Sequence, residues 1–301
     1  MPDDWPLLFA GASVASLAPV LARLRRGVRG TALETAWPWA ALAWIVWLVV
    51  PLVTVAPSHL GAWRDVLWYV AAVVALVPPI AVLGARRPTA RVWTWFVLVP
   101  LVLVFTWPLA TALRGEGAPA AFSLEEPLLA GYLLVLVMGA GNYLGLRFSL
   151  AALLWMTGVA LVVGPLCPAT AKWVPEAAAG RLSGTFLLVA AGWISDRQAA
   201  RARRRSTTGP ALNRVWADFC DLFGIVWARR LQDRFNEEAR CKGLPLRLGI
   251  HGVEAAGQSR PVEFDSQTLS AAEESLRWLL QKFVDPAWID RRLAYYVRFK
   301  A

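Results

Sequence analysis

Apolar runs of about twenty residues recur over the first two thirds of the chain, separated by short polar gaps. A helix rising 1.5 Å per residue needs roughly 20 residues to cross ~30 Å of hydrocarbon. Residues 37–56, 66–84, 92–113, 127–146 and 148–166 meet that requirement. A weaker sixth run covers 177–195, with Arg181 near one end, where a long side chain can snorkel to the interface. Residues 5–22 are long enough to cross but are diluted by Gly11, Ser13, Ser16 and Pro19, so lying in the interface is also open to them. The pattern predicts an α-helical polytopic membrane protein with six or seven transmembrane helices.

The periodicity changes after Ser195. Arg201, Arg203, Arg204 and Arg205 form a basic run, followed by the chain-breaking stretch 206–210. From Pro210 to about Arg240, Leu212, Val215, Trp216, Phe219, Phe223, Val226, Leu231 and Phe235 recur at helical spacing and predict one long amphipathic helix. Residues 244–251 alternate apolar with other positions and predict a strand, with a turn near 255–259 and a second short strand near 261–264. Ser270 and Glu273 have capping-box spacing for a helix reaching Val284, and Asp285-Pro286 starts a last helix to about Tyr295. The chain thus divides into a bundle (1–195), a basic juxtamembrane linker (196–209) and a small C-terminal cytoplasmic α+β domain (210–301).

Composition and charge refine this picture. The chain is 57% hydrophobic and 17% charged, and many of its 17 tryptophans fall at the ends of apolar runs, where an amphipathic ring suits the bilayer interface. Abundant Ala, Arg, Leu and Trp suggest a GC-rich bacterial genome, hence the bacterial inner (plasma) membrane. Thirteen arginines flank one set of gaps (after 22, 85, 146 and 196), against four basic residues in the alternate gaps (Arg64, Arg114, Lys172, Arg181). The positive-inside rule places the first set, and the C-terminus, in the cytoplasm. Cys167 then falls in an external loop, as a thiol expected to react with a membrane-impermeant reagent.

The net charge of +10 is explained by arginines flanking spans rather than by nucleic acid, because the aromatics of the C-terminal region lie on apolar faces and form no basic stripe. The lipid bilayer and anionic headgroups are the implied partners, the latter at Arg201, Arg203, Arg204 and Arg205. A protein partner or a second copy could dock on the apolar face of the 210–240 helix. No cofactor or metal is expected, since His59 and His251 are the only histidines and no ligand spacing is present. No nucleophile and base stand together, so there are no candidate catalytic residues and the balance leans against an enzyme.

Two features of the bundle remain. Gly141 and Gly145 have GxxxG spacing, which on one helix face lets a neighbouring backbone approach. Beside them, Asn142, Tyr143 and Arg147 suggest a small polar pocket for an anionic headgroup, and with it an alternative role as a carrier or lipid-handling protein.

The stretch LRLGIHGVE (246–254) resembles a strand-turn segment of the class III nucleotide cyclases, whose domains can also follow a multi-span region. The resemblance covers nine residues and implies two metal-holding carboxylates on separate strand elements. Here the upstream Asp218, Asp221 and Asp233 fall on a predicted helix, and less chain remains than a cyclase domain needs. We assign no family.

Overall fold

The computed structural model describes residues 5–55, 63–87, 89–114, 122–174, 176–204, 211–256 and 264–300. Arg205, His59 and most of the strand expected near 261–264 lie outside them. The architecture is largely helical. Helices α1 (Trp5–Ala15) and α2 (Ala18–Val28) are followed by α3 (Trp37–Val55), α4 (Trp63–Leu83) and α5 (90–114). Then come α6 (Glu126–Gly141), α7 (Ser149–Val163) and α8 (Ala177–Arg204). The C-terminal region holds α9 (Ala211–Cys241), strands β1 (Leu246–Gly249) and β2 (Gly252–Ala255), α10 (Ser266–Leu280) and α11 (Pro286–Lys300).

Five segments are long and apolar enough to cross a membrane: Trp5–Val28, Ala32–Val55, Trp63–Leu83, Ser149–Leu166 and Ala177–Arg203. Thr94–Ala110 and Glu126–Gly141 are shorter apolar helices. A multi-pass membrane protein follows from these helices. The break between α1 and α2 precedes Pro19, as a ring without an N–H requires. In α5 the turn Thr94–Leu98 is π-helical, which relieves the clash of Pro100 with the preceding turn. The Pro78-Pro79 pair does not break its helix, and α4 runs through it unbroken.

Helix α4 is the centre of the bundle, with Trp68, Tyr69, Ala72, Val73, Leu76 and Val77 buried around its circumference. Polar tips inside this core end on backbone carbonyls of neighbouring helices. Tyr69 Oη donates to Phe105 O (2.6 Å), Tyr132 Oη to Ala72 O (2.8 Å) and Trp47 Nε1 to Ala71 O (2.9 Å). In hydrocarbon no water is present to take those protons. Arg181 and Asp65 are ion-paired, and the guanidinium also lies 6.0 Å from the Trp68 ring centroid.

The GxxxG expectation needs correcting. Helix α6 ends at Gly141, and Gly145 sits beyond it with φ +79°; a Cβ at either position meets nothing within 4 Å. The close backbone contact lies instead between α7 and α8. There a Cβ on Gly158 would stand 2.7 Å from Gly184 O, and one on Gly184 2.5 Å from Gly158 O. Small residues at this seam allow dispersion contacts that larger ones would hold apart.

The loops sort onto two ends. Asp65 begins α4, whose other end, near Val82, meets the C-terminal region, so the Arg181–Asp65 pair marks the far end. Leu124 N donates to Leu166 O (2.8 Å), and Cys167 is buried in one cluster with Phe122, Leu124 and Leu166. The accessible thiol expected at Cys167 is therefore absent, because the loop folds its small side chain inward. Cys220 is also buried and Cys241 exposed.

In the C-terminal region the expected apolar face of α9 is present. Trp216, Phe219, Phe223 and Phe235 are wholly buried against α10, α11 and the hairpin, in a core continued by Val28, Ala32, Leu33 and Ala85 of the bundle. Val226 leaves that face and Trp227 and Ala228 take its place. The strand expected over 244–251 is a hairpin in which Gly249 pairs with Gly252 across the two-residue loop Ile250-His251. Helix α9 holds it on polar tips. Asn236 exchanges two bonds with Leu248 (2.6 and 3.1 Å), Asn213 Oδ1 accepts from Val253 N (2.8 Å), and Trp216 Nε1 donates to Gly249 O (2.9 Å). Helix α10 begins earlier than the capping box implied. Asp265 is the N-cap and accepts from Thr268 N, so Ser270 lies inside the helix.

Candidate functional site

Asn142, Tyr143 and Arg147 lie in the turn after α6, and all three face α9. Their partner is a break that the sequence stripe conceals. Gly224 has φ +79° and ψ −179°, so α9 is two helices joined by a residue in a conformation that suits glycine alone. A break in a buried helix leaves carbonyls on one side and N–H groups on the other without intrahelical partners.

Asn142 satisfies both sides. Its Nδ2 donates to Phe223 O (3.1 Å), its Oδ1 accepts from Val226 N (3.1 Å), and its own backbone oxygen accepts from Ile225 N (2.7 Å). One asparagine thus acts from the turn after α6 as the C-cap of the first half of α9 and the N-cap of the second. The approach needs Gly224 for space as well as for φ, since a Cβ there would stand 2.5 Å from Asn142 O and overlap its side chain. Tyr143 Oη donates to Leu222 O (3.3 Å), and Arg147 Nη1 reaches Asp221 Oδ2 (2.5 Å).

Electrostatics at this joint set burial against pairing. Asp221 is pushed up to about 6, because burial disfavours its carboxylate more than the Arg147 guanidinium beside it compensates, with Asp218 adding repulsion. Burial also pushes the neighbouring Cys220 thiol up, which makes it a core group rather than a nucleophile. Asp218 is itself paired with Arg292 (2.8 Å), whose guanidinium lies 3.5 Å from the Trp288 ring centroid.

Two further loops tie the C-terminal region down. Ala32 N donates to Phe283 O (2.7 Å) and Asp285 N to Gly30 O (2.7 Å), flanking an antiparallel bridge between Thr31 and Val284. Arg87 N donates to Lys282 O (3.0 Å), Arg87 Nη1 pairs with Asp285 (2.5 Å), and Trp227 Nε1 donates to Val82 O (3.2 Å). The three loops so engaged are arginine-bearing ones.

The expected headgroup pocket is therefore filled from within the chain, and an anion at Arg147 would have to displace Asp221. The apolar face of α9 is likewise covered by the chain itself and is not free for a partner. Arg201 and Arg203 lie exposed near the end of α8; Arg204 ends that helix, and Arg205 is outside the described residues. Sequence reading missed Gly224, Asp221 and Asp285 as partners of the bundle. A lone glycine in a long amphipathic run was the available signal for the first; ion-pair partners 74 and 198 residues away leave no local one.

Among the described residues no three His, Cys, Asp or Glu side chains gather as a metal site. The nine-residue cyclase-like stretch is the β1–β2 hairpin, and Asp218, Asp221 and Asp233 lie on α9. The chain matches no protein-family model, no curated protein and no solved structure.

Proposed function

We propose that this is a bacterial inner-membrane protein with seven spans, in which the arginine-rich loops and the C-terminal region face the cytoplasm. It acts as an interaction module held rigidly at the membrane. The observation that carries this reading is the joint: Asn142 completes the broken α9, so a surface on the C-terminal region is fixed in orientation relative to the bilayer. With the apolar face of α9 consumed internally, recognition falls to the outward side of α10. There Trp278 is 56% exposed beneath the Lys282 ammonium, 4.4 Å from the ring centroid. A solvent-facing tryptophan on a rigid helix is the residue type that anchors protein interfaces.

A photo-crosslinking amino acid placed at position 278 of the full-length chain in cells tests this. A discrete protein adduct, shared with position 274 and missing from lipid-facing position 103, is expected. Lipid adducts alone, or none at 278, would overturn it. Orientation is checked by Cys241, since buried Cys167 cannot report. An impermeant maleimide should label Cys241 only after permeabilisation, and labelling in intact spheroplasts would reverse the topology.

A further inference from the structure

Helix α2 and the first half of α3 flank an open groove of about 440 Å³ at the arginine-rich end of the bundle. Its floor is apolar and shaped by small residues. Ala18 and Ala22 lie one turn apart beside Leu21, opposite Trp37 and Trp44 of α3. Arg25, Arg26 and Arg29 form the rim at one end. Trp44 lies seven residues into α3 from Trp37, so the floor runs about 10 Å along the helix axis, from the interface toward the hydrocarbon.

The walls are fixed by bonds that have nothing to do with each other. Trp44 Nε1 donates to Val14 O (2.9 Å), a carbonyl at the end of α1, and Trp37 Nε1 donates to Leu21 O (3.3 Å). On the other side Arg23 makes two bonds to Asp196 of α8 (2.8 and 3.0 Å). Helix α2 is thereby pinned between α3 and α8 with its alanines toward the groove.

The charge at the rim is uncompensated. Glu34, the nearest carboxylate by sequence, accepts from Gly30 N (2.7 Å), and Asp196 of α8 is paired with Arg23. Among the described residues Arg26 and Arg29 have no ion-pair partner, and Arg25 lies against the Trp37 ring, 4.8 Å from its centroid. An aromatic face attracts a guanidinium without neutralising it. Three arginines above an apolar slot call for an amphiphile with an anionic head and a hydrocarbon tail.

We propose that this groove is a specific site for an anionic phospholipid. The phosphodiester meets Arg25, Arg26 and Arg29, and one acyl chain lies over Ala18 and Ala22 against Trp44. This site is separate from the Asn142 joint and from the surface of α10.

Native mass spectrometry of the detergent-purified full-length protein, with phosphatidylglycerol or phosphatidylcholine added in equal amounts, tests it. Wild type should retain phosphatidylglycerol about tenfold or more over phosphatidylcholine, because both carry the phosphodiester but the choline ammonium of the second is repelled by the three guanidiniums. The R25Q/R26Q/R29Q variant should lose that preference. The A22L variant keeps every charge but fills the slot, and it should lose retention as well. R201Q/R203Q should retain it. Equal retention of both lipids by wild type would overturn the proposal, as would an A22L variant that binds like wild type. Displacement by inorganic phosphate would also overturn it, since no chain would then occupy the floor. Circular dichroism and size exclusion of both groove variants should match wild type, because neither replacement removes the Arg23–Asp196 pair or the hydrogen bonds of Trp37 and Trp44.

Discussion

The α7–α8 seam and the joint between the α6 turn and α9 are both built on glycine, for opposite reasons. At the seam, Gly158 and Gly184 lie in regular helices, and glycine is needed because a backbone oxygen of the facing helix occupies the space of a Cβ. At the joint, Gly224 is needed first for its conformation, with φ +79°, and then for the room it leaves Asn142. The seam joins two apolar surfaces where hydrocarbon gives no hydrophobic drive, so close contact is what holds them. The joint connects the apolar bundle to the less apolar C-terminal region, and it relies on hydrogen bonds to groups that a broken helix has left open. The first is a matter of volume and the second of valence.

That contrast is sharpest in its mutants. Gly158→Leu should have the largest effect. Overpacking costs about 1–3 kcal/mol where neighbours can yield, and the atom it meets is main chain. We expect loss of the monodisperse detergent-solubilised species on size exclusion; a wild-type profile would mean the helices part without cost.

Gly224→Ala comes next and acts locally. Forcing alanine into this region costs about 1–3 kcal/mol before the collision with Asn142 is counted. The C-terminal region should become sensitive to limited proteolysis while the bundle keeps its helicity. Loss of both together would show that the two parts unfold as one.

Asn142→Ala is milder, since the backbone oxygen of residue 142 still accepts from Ile225 N. The Val226 N–H and the Phe223 carbonyl lose their side-chain partner, a cost of about 1–3 kcal/mol if water does not reach them. Hydrogen exchange at Val226 should rise, and unchanged protection there would remove the capping role.

The smallest effect is the pH response of Asp221. Its folded-state value, about 6, lies above the ordinary 3.8. The folded state therefore holds the proton more tightly, and the stabilisation is complete below 3.8 and lost as pH rises through about 6. Asp221→Asn should flatten the thermal midpoint over that window. A wild-type curve parallel to the variant's would mean that the carboxylate is solvated.

Much of this architecture was legible along the chain. Ala32–Val55, Trp63–Leu83 and Ser149–Leu166 appear as apolar runs, although the run at 127–146 is helical only over Glu126–Gly141, and the arginine gaps mark the end of the bundle to which the C-terminal region is tied. The apolar face of α9 was readable at Leu212, Trp216, Phe219, Phe223, Leu231 and Phe235, all buried. The break at Gly224 was not, because buried positions 219, 223, 227, 231 and 235 keep four-residue spacing straight through it. A periodicity argument registers which face is apolar and is blind to a change of direction between two helices that keep it. The GxxxG at Gly141 and Gly145 failed for the converse reason: spacing assumes a helix that continues, and α6 stops at Gly141.

The candidate site divides in the same way. The residues Asn142, Tyr143 and Arg147 were identifiable because polar groups beside an apolar span are few, and each needs a partner. What they serve was decided only by tertiary contact. The carbonyls of Phe223 and Leu222 and the carboxylate of Asp221 reach them from about 80 residues away. By itself the sequence determined which segments are apolar enough for a bilayer, which loops carry the charge and which side of α9 is buried, because these depend on local composition and period. The tertiary structure decided where α9 breaks, what fills the polar turn and how the arginine rim of α2 meets the tryptophans of α3. Those outcomes depend on which unsatisfied group finds which partner, and a backbone carbonyl or N–H looks the same at every position in a sequence.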